Sequence, residues 1–374
     1  MKENNWQTIK LGDVCKIKTG KKDVNQGNTC GKYPFFTCAK EHTYSDGYSF
    51  DTEALLVAGN GDVGNVSYYK GKFEAYQRTY VLSDFSGISL RFLCLFLDGF
   101  LKDTVSKQKL GNTIPYIKMG MLSNFVIPLP PLPEQKRIVK ILDEVFEEVG
   151  KAKGNAEKNL RNSRELFESY LQSVFENRGE GWEEKRLGEI YDVRDGTHDS
   201  PKYQEKGFAL VTSKNLKRNG LNFNNIKYIS EKDYEKINDR SKVDKGDILL
   251  AMIGTIGSPI VVEIEPDFAI KNVALFKIPK DQSNYFLRYY LDSKIVFDKM
   301  ARESKGTTQK FVGLGYLRGF TIPLPPLSEQ KAIVKKLDAL SEETKKLEEI
   351  YKKEIADLEE LKKSVLQKAF RGEL

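Results

Sequence analysis

The sequence predicts an α+β protein built by internal tandem duplication. We expect two mixed α/β domains with short-strand sheets, separated by two long antiparallel coiled-coil helices and related by pseudo-twofold symmetry. A proline-rich segment that runs into a charged helix occurs twice, as IPLPPLPEQKRIVKIL at 127–142 and IPLPPLSEQKAIVKKL at 322–337. Each globular part opens on Trp-x4-Leu-Gly, and each charged helix carries a heptad. The predicted segments are 1–132, 133–178, 179–327 and 328–374, in the order domain, helix, domain, helix.

Composition sets the first limits. A chain of 374 residues is too long for one ordinary core. The surplus behind the net charge of +7 lies in the globular parts; it is compatible with a polyanionic partner, and equally with solubility alone. No stretch approaches the roughly 18 apolar residues that span a bilayer, and no signal core is present, so we expect a cytoplasmic protein without membrane contact. The spacing of the four cysteines fits neither a zinc pair nor a disulfide framework, which favours reduced thiols.

The two globular parts show the same order of patterns. After the entry motif, an alternating segment ends at Gly20 in the first part and at Gly196 in the second, which predicts a strand followed by a turn. Midway, an apolar strand (55–58, 248–251) runs into a Gly-x-x-Gly turn, and another strand returns. A short helix follows in each part. Each part therefore reads as mixed α+β.

The proline-rich segment leads directly into each long helix. Prolines fix φ and remove amide donors, so Pro128, Pro130, Pro131 and Pro133 favour a stiff, polyproline-like path. We expect this path to hold each globular part at a set angle to its helix.

The helices carry apolar seams that predict a coiled coil. The duplication favours an antiparallel pair, and about 44 residues of helix would extend about 66 Å. The predicted seam residues are Ile138, Leu142, Val145, Val149 and Leu166 in the first helix and Ile333, Leu337, Leu340, Leu347, Leu358 and Leu361 in the second.

These features resemble the specificity subunit of type I restriction–modification systems over residues 6–374. The resemblance rests on three repeated features. They are the junction, meaning the proline-rich segment with the start of its helix, the Trp-x4-Leu-Gly entry, and the Leu-Gln-x-x-Phe at the end of each helix (Leu171 to Phe175, Leu366 to Phe370). It implies that residues 1–132 and 179–327 are target-recognition domains, each reading one half of a bipartite, asymmetric DNA site. The helices would set the spacer and dock methyltransferase (M) subunits.

The resemblance also implies partners and an absence of catalysis. Double-stranded DNA and M subunits, two in number, would bind this chain, and restriction (R) subunits would join through the complex. S-adenosylmethionine would belong to the M partner, and ATP and Mg to the R partner, so that this chain binds no cofactor. It would be a non-catalytic subunit of a multi-subunit restriction endonuclease and adenine-N6 DNA methyltransferase.

Catalytic patterns are weak. Gly59-Asn-Gly61-Asp-Val-Gly64 matches G-x-G-x-x-G, but a dinucleotide site needs a following helix, and VSYYKGKF reads as a strand. The Asn/Asp-Pro-Pro-aromatic element of adenine methyltransferases does not occur in the sequence. Asp267 with Glu303 and Lys305 imitates a nuclease constellation across a long gap. Two histidines, His42 and His198, suggest no metal cluster.

Loops rich in base-reading and phosphate-binding residue types supply the DNA-contact candidates, because Arg and Lys pair with guanine or phosphate and Asn and Gln with adenine. In the first domain they are Lys18, Thr19, Lys21, Lys22, Arg78, Lys107, Lys109 and Asn112. In the second they are Arg194, Thr197, His198, Lys202, Lys214, Asn215, Lys217, Arg218, Lys305, Thr307, Thr308 and Gln309. Any single lysine can instead be a solvated surface charge, and Asn215 and Gln309 can satisfy local backbone groups. Gln77 and Asn272, aligned with each other, read as buried structural amides within strands.

The sequence thus predicts a DNA-specificity subunit. One alternative is a self-contained DNA methyltransferase or nuclease with appended recognition domains, which the missing motifs disfavour. Another is a coiled-coil scaffold that binds only protein.

Overall fold

The computed structural model describes residues 6–107, 110, 115–217, 220–254, 256–304 and 311–374. The chain forms two compact units, unit 1 (Met1–Glu157 with Lys353–Leu374) and unit 2 (Lys158–Lys352). Each of the two long helices contributes one part to unit 1 and the other part to unit 2, so the units do not follow the four predicted segments.

In the described part of the chain, unit 1 combines strands with α-helices of its own. Its strands are β1 Gln7–Lys10, β2 Lys16–Thr19, β3 Tyr33–Phe36, β4 Thr43–Ser45, β5 Phe50–Ala58, β6 Val66–Ala75, β7 Thr79–Ser83 and β8 Val126–Leu129. Its helices are α1 Leu11–Val14, α2 Leu90–Ser106 and α3 Met119–Ser123. The first long helix, α4, spans Leu132–Glu176.

Unit 2 repeats this plan with insertions. Its strands are β9 Glu183–Arg186, β10 Asp192–Asp195, β11 Phe208–Val211, β12 Leu216–Lys217, β13 Gly220–Leu221, β14 Lys227–Ile229, β15 Ile248–Ala251, β16 Gly257–Val261, β17 Phe268–Ile270, β18 Val273–Lys277 and β19 Thr321–Leu324. Its helices are α5 Leu187–Ile190, α6 Glu231–Ser241, α7 Asn284–Asp292, α8 Lys294–Glu303 and α9 Leu314–Gly319. The second long helix, α10, spans Leu327–Arg371.

The strand order confirms the duplication. The main sheet of unit 1 begins β2-β7-β5-β6, and that of unit 2 is β10-β18-β15-β16, the same order of equivalent strands. In unit 1, β3 joins in parallel to β6 and carries β4 antiparallel at the edge. In unit 2, β11 pairs in parallel with β17 and antiparallel with β14, which is the same arrangement in a separate sheet. The β12–β13 hairpin and α6 are additions of unit 2.

The proline-rich segment pairs with the entry motif. Strand β8 runs antiparallel to β1, with Pro128 opposite Thr8, and β19 runs antiparallel to β9, with Pro323 opposite Glu184. The predicted polyproline-like path is therefore wrong for this part, since the segment is a paired strand. Two-stranded sheets tolerate proline because both strands are edges. The pairing explains why the entry motif and the junction occur together in each copy.

The two long helices run antiparallel, and each unit shows it independently. In unit 1, Lys153 on α4 pairs with Glu359 on α10 at 2.6 Å, while nearer the start of α4 the ammonium of Lys362 lies over the Phe146 ring, 4.8 Å from its centroid. Residue numbers along α4 therefore decrease where those along α10 increase, so the two helices run in opposite directions in unit 1. In unit 2, Arg164 pairs with Glu348 at 3.0 Å, and Trp182, just after the end of α4, donates to Glu329 in the first turn of α10 at 2.8 Å.

The predicted seam holds in its first half and drifts in its second. Its members Ile138, Leu142, Val145, Val149, Ile333, Leu337, Leu340, Leu347 and Leu358 are buried or half-buried. Leu166 and Leu361 were wrongly placed in the seam, because their side chains are 52% and 47% exposed. An α-helix has 3.6 residues per turn, so a strict heptad rotates about 20° per repeat off a straight contact line. Phe167, one residue later than Leu166, packs against the unit 2 core instead.

A buried glutamine fastens each junction. Gln135 and Gln330, the Gln of the repeated Glu-Gln-Lys, are both fully buried. Gln135 accepts a hydrogen bond from the Ser89 amide (2.7 Å) and donates to the Pro130 carbonyl (2.8 Å). Gln330 accepts from the Ser283 amide (2.9 Å) and donates to the Pro325 carbonyl (2.9 Å).

These two serines are the N-cap residues of α2 and α7. Each glutamine therefore joins three parts of its unit: the domain helix, the proline segment and the long helix.

Among the described residues, none of the helices is apolar over enough length to cross a membrane. Cys15, Cys30, Cys38 and Cys94 are free thiols. Burial raises the pKa of the Cys15 thiol to about 12.

Replacing either glutamine should destabilise its unit. Gln135→Leu keeps the side-chain size but leaves the half-buried Ser89 amide and the buried Pro130 carbonyl without this partner, and we expect a loss of about 2–4 kcal/mol in urea unfolding. Gln330→Leu should do the same. Lys136→Gln, at the exposed neighbouring position, should change stability by less than about 0.5 kcal/mol. Wild-type stability in Gln135→Leu would contradict the role given to this side chain.

Candidate nucleic-acid interface

In each unit, the loop after the first strand of the main sheet crosses the turn that leads into the neighbouring strand. In unit 1, the Gln77 amide donates to the Lys22 carbonyl at 3.0 Å. In unit 2, the Asn272 amide donates to the Thr197 carbonyl at 3.1 Å. The crossing fixes the loops that hold Lys21 and Lys22 in unit 1 and Thr197, His198 and Lys202 in unit 2.

Glycine makes this crossing possible. A Cβ added at Gly20 would lie 1.8 Å from the Ala75 carbonyl oxygen, and one at Gly196 would lie 2.2 Å from the Ile270 carbonyl oxygen. Both contacts are with backbone, which cannot move aside without breaking the sheet. The two glycines that end the alternating segments in the sequence therefore mark close backbone crossings.

A buried carboxylate organises the loop of unit 2. Asp195, 8% exposed, accepts from Arg240 Nη2 at 3.0 Å and contacts His198 Nε2 at 2.8 Å. Arg240, on α6, also donates to the Gly196 carbonyl at 3.1 Å. The second ring nitrogen of His198, Nδ1, lies 2.8 Å from Asn272 Oδ1. Because a buried carboxylate needs a cationic or donor partner, Arg240 and His198 are held in place together.

Beside this loop, unit 2 has an open cavity of about 770 Å³ with cationic and amide walls. Its lysines are Lys214, Lys217, Lys227 and Lys271, and its asparagines are Asn215, Asn222, Asn224, Asn225 and Asn272. Among the described residues that line it, none is acidic. A polyanion with base edges to be read is the ligand class that this chemistry suits.

A smaller neighbouring cavity of about 340 Å³ includes Thr197 and His198. It carries both signs of charge, with Asp199, Asp233, Lys236 and Arg240 among its walls. Lys202 is exposed close by in sequence.

Like His198, the candidates Arg194 and Asn215 of unit 2 have internal partners. Arg194 forms an ion pair with Asp192 at 2.5 Å and donates to the Arg240 carbonyl. The Arg194 hydrogen bond lowers the pKa of Asp192. Asn215 is buried; its Oδ1 accepts from the Thr212 amide and hydroxyl, and its Nδ2 donates to the Asn222 carbonyl. This local bonding is the alternative that the sequence left open for Asn215.

In unit 1, the candidates lie on one strand, its loop, the crossed turn and a helix end. Lys18, Lys21, Arg78 and Lys107 are exposed and Thr19 is half-buried. The Arg78 guanidinium lies over the Tyr116 ring, 5.7 Å from its centroid.

Lys22 has internal partners. It pairs with the buried carboxylate of Glu74 at 3.4 Å and donates to the Ser45 hydroxyl at 2.7 Å. Its charge is therefore compensated within the fold.

Seven candidates lie outside the described residues: Lys109, Asn112, Arg218, Lys305, Thr307, Thr308 and Gln309.

The structure adds residues that the sequence did not single out. Asn222, Asn224, Asn225, Lys227 and Lys271 join the cavity because β14 and the β17–β18 turn lie beside the predicted loop. The asparagine cluster at 222–225 was the available signal.

The interpretation of Gln77 and Asn272 as buried amides within strands is wrong. Both lie in turns; Gln77 is exposed and Asn272 half-buried, with φ at +54°.

The catalytic patterns have structural explanations where they are described. Strand β6, and no helix, follows Gly59–Gly64, so this segment is a tight turn. Glu303 accepts a hydrogen bond from the Tyr316 hydroxyl at 2.7 Å. In the described part of the chain, no group of three or more His, Cys, Asp or Glu side chains could hold a metal ion.

Comparison with known proteins gives full-length similarities. The family model described as type I restriction modification DNA specificity domain matches residues 3–157 and 179–357. The EcoDI specificity subunit of Escherichia coli, a type I restriction enzyme subunit, is 26% identical over 99% of this chain and 88% of its own length. The MjaVIII specificity subunit of Methanocaldococcus jannaschii is 26% identical over 99% of this chain and 93% of its own.

Solved structures share the fold. A chain from a study of assembly and conformational transition in the type I R-M system superposes with a TM-score of 0.79 at 20% identity, covering 99% of both chains. The HsdS subunit of Thermoanaerobacter tengcongensis gives a TM-score of 0.62 at 19% identity, covering 99% of this chain and 98% of its own.

The crossing glycines provide a test of the site's geometry. Gly20→Ala and Gly196→Ala should each destabilise their unit by about 3 kcal/mol, because the new methyl group collides with a carbonyl. Gly47→Ala and Gly315→Ala are the controls, since an added Cβ there meets nothing within 4 Å. Thermal unfolding followed by circular dichroism would measure all four. Equal stability of Gly196→Ala and Gly315→Ala would refute the close crossing.

Proposed function

Because this chain belongs to the family of type I restriction modification DNA specificity domains, we propose that each of its units reads one half of a bipartite, asymmetric DNA site. The chain acts as the specificity subunit, and the chemistry of methylation and cleavage lies in its partners. The repeated strand order is the observation that carries the bipartite reading, because two related scaffolds place their crossed loops in the same way.

The cationic cavity of unit 2 supports contact with the DNA backbone and base edges. Among its lysines, Lys214, Lys217 and Lys227 are exposed and Lys271 is half-buried, and asparagine side chains line the same cavity. This mixture combines phosphate neutralisation with readout. The corresponding strand, loop and turn of unit 1 carry Lys18, Lys21 and Arg78, respectively. Asn215, Arg194 and Lys22 hold these loops in shape through their internal bonds.

The long helices serve as the docking surface for M subunits and set the spacer between the half-sites. Each begins with the same junction, so the chain offers two equivalent docking surfaces, one for each of two M subunits. Leu166 and Ile350 on the helices of unit 2, and Leu361 on the helix of unit 1, expose apolar side chains that a partner would cover. S-adenosylmethionine belongs to the M partner, ATP and Mg to the R partner that joins through them, and the complex works in the cytoplasm.

The alternative of a self-contained methyltransferase has no supporting observation. Methyl transfer from S-adenosylmethionine to DNA by the isolated chain would revive it.

The lysines of the cavity should contribute to the salt dependence of DNA binding. For the complex with its M subunits, Lys217→Gln should reduce the slope of log K against log salt by about 0.9, the value of one phosphate contact. Lys280→Gln makes the same change of charge at an exposed position outside the cavity and should leave the slope unchanged. Fluorescence anisotropy with a fixed duplex would measure both. An unchanged slope in Lys217→Gln would exclude a phosphate contact at this lysine.

Exchange of one domain should change one half-site only. Replacement of residues 1–132 by the matching segment of another family member should alter the half-site read by unit 1 and leave the other half intact. Mapping of methylated adenines in a genome that expresses the hybrid complex would report both halves. A change in both halves would contradict independent reading.

A further inference from the structure

The two crossed turns place an equivalent amide side chain beside each loop. Gln77 and Asn272 each donate their backbone amide to the loop, and each side chain then bonds to the next loop residue. In unit 1, Gln77 Nε2 donates to Asp23 Oδ2 at 3.4 Å. In unit 2, Asn272 Oδ1 lies 2.8 Å from His198 Nδ1. Neither amide is buried, and among the described residues each has side-chain groups without a further hydrogen-bond partner, which a ligand could use.

We propose that Gln77 and Asn272 are specificity-determining residues, each reading one base edge in the half-site of its unit, and that Asp23 and His198 position their amides. This assignment rests on the proposed function. An amide offers one acceptor and two donors, and the pair of one acceptor and one donor matches the N6 and N7 edge of adenine.

In unit 1, the orientation of the Gln77 side-chain amide is fixed. A carboxylate only accepts hydrogen bonds, so Asp23 requires the NH₂ side of the Gln77 amide. The carbonyl oxygen and one N–H of Gln77 then remain available, which is the pattern that pairs with adenine.

In unit 2, the orientation of the Asn272 side-chain amide depends on His198. The carboxylate of Asp195, paired with Arg240, requires an N–H at His198 Nε2. In the neutral imidazole, Nδ1 then carries no proton and must accept, so Asn272 turns its NH₂ toward the ring and keeps its oxygen and one N–H for the ligand. In the imidazolium, Nδ1 donates, so Asn272 turns its oxygen toward the ring and presents its two N–H groups.

The two states read different bases. Two N–H donors suit the O6 and N7 acceptors of guanine, whereas one donor and one acceptor suit adenine. The presence or absence of a proton on His198 Nδ1 therefore sets the base that Asn272 prefers.

The location of Asn272 supports the assignment. Its side chain is on the wall of the cationic cavity, and its backbone is held in the left-handed region at φ +54°. A positive φ in a residue other than glycine persists only where the surroundings hold it. The turn is fastened by the Asn272 amide on the Thr197 carbonyl and by the Lys271 amide on the Val211 carbonyl at 2.9 Å.

Selection from a library of random-sequence duplexes tests the proposal. The complex of the full chain with its M subunits is used, as wild type and as the variants Asn272→Gly, Gln77→Ala and His198→Gln. Glycine accepts φ +54° without strain, so Asn272→Gly removes the amide and keeps the turn. Thermal unfolding checks each variant for a wild-type transition.

Each amide should control one base position. Asn272→Gly should lose about tenfold to a hundredfold discrimination at one position of one half-site, and Gln77→Ala should do so in the other half-site only. If Asn272→Gly selects the wild-type site unchanged, or weakens all sequences equally, the proposal is overturned while the proposed function stands. If the wild-type complex selects no site, both fall.

The variant His198→Gln tests the positioning role of His198. Its amide can either donate or accept toward Asn272, so the orientation of the Asn272 amide is no longer set by the imidazole. The selected sites should then lose the preference between adenine and guanine at the Asn272 position, while every other position of both half-sites stays the same. A wild-type preference at this position in His198→Gln, or a loss of discrimination at all positions, would overturn the role of His198.

Discussion

The rest of each unit depends on one buried glutamine. Gln135 and Gln330 each join the first turn of a long helix to a proline carbonyl and to the amide that begins a domain helix. A side-chain amide suits this place because it can donate and accept at once, and without it a buried carbonyl and a half-buried amide would each lose this partner. The angle between helix and domain is thereby set by directional bonds as well as by apolar packing, which has no direction. This requirement explains why Glu-Gln-Lys occurs at both junctions in the sequence.

The scaffold and the loops follow different physical rules. The four central strands, the paired entry and junction, and the glycine crossing recur in both units because each solves a backbone problem that many side chains can satisfy. The residues on the crossed loops do not recur: Asp23 corresponds to His198, and Gln77 to Asn272. The backbone crossing places each loop in the same way, while the side-chain bonds that complete the loop differ between the units.

The sequence was sufficient for the duplication, the helices and the antiparallel pairing, because repeats and heptads are periodic signals. The prediction was wrong at Leu166 and Leu361, because the small rotation of each heptad adds up along a helix. It was also wrong at Pro128, because an extended proline segment can stand alone or pair as a strand, and its own sequence does not decide between the two. The candidate site was predicted in part. The loop 194–198 follows from its composition, but the position of Lys227 and Lys271 beside it depends on contacts between β11, β14 and β17, which are distant in sequence. The bonds of Asn215 and the turn positions of Gln77 and Asn272 likewise require the folded backbone.

The antiparallel helices also have a consequence for synthesis. Phe370 and Ala369, near the end of α10, are buried in the core of unit 1, where Phe370 packs on Phe92 and Phe96 with ring centroids 5.0 Å away. A ribosome completes the strands of that core long before it reaches these residues. Part of the apolar surface of unit 1 therefore stays uncovered while unit 2 is translated. Contacts between residues so distant in sequence also form slowly. The nascent first domain is thus an expected client of chaperones.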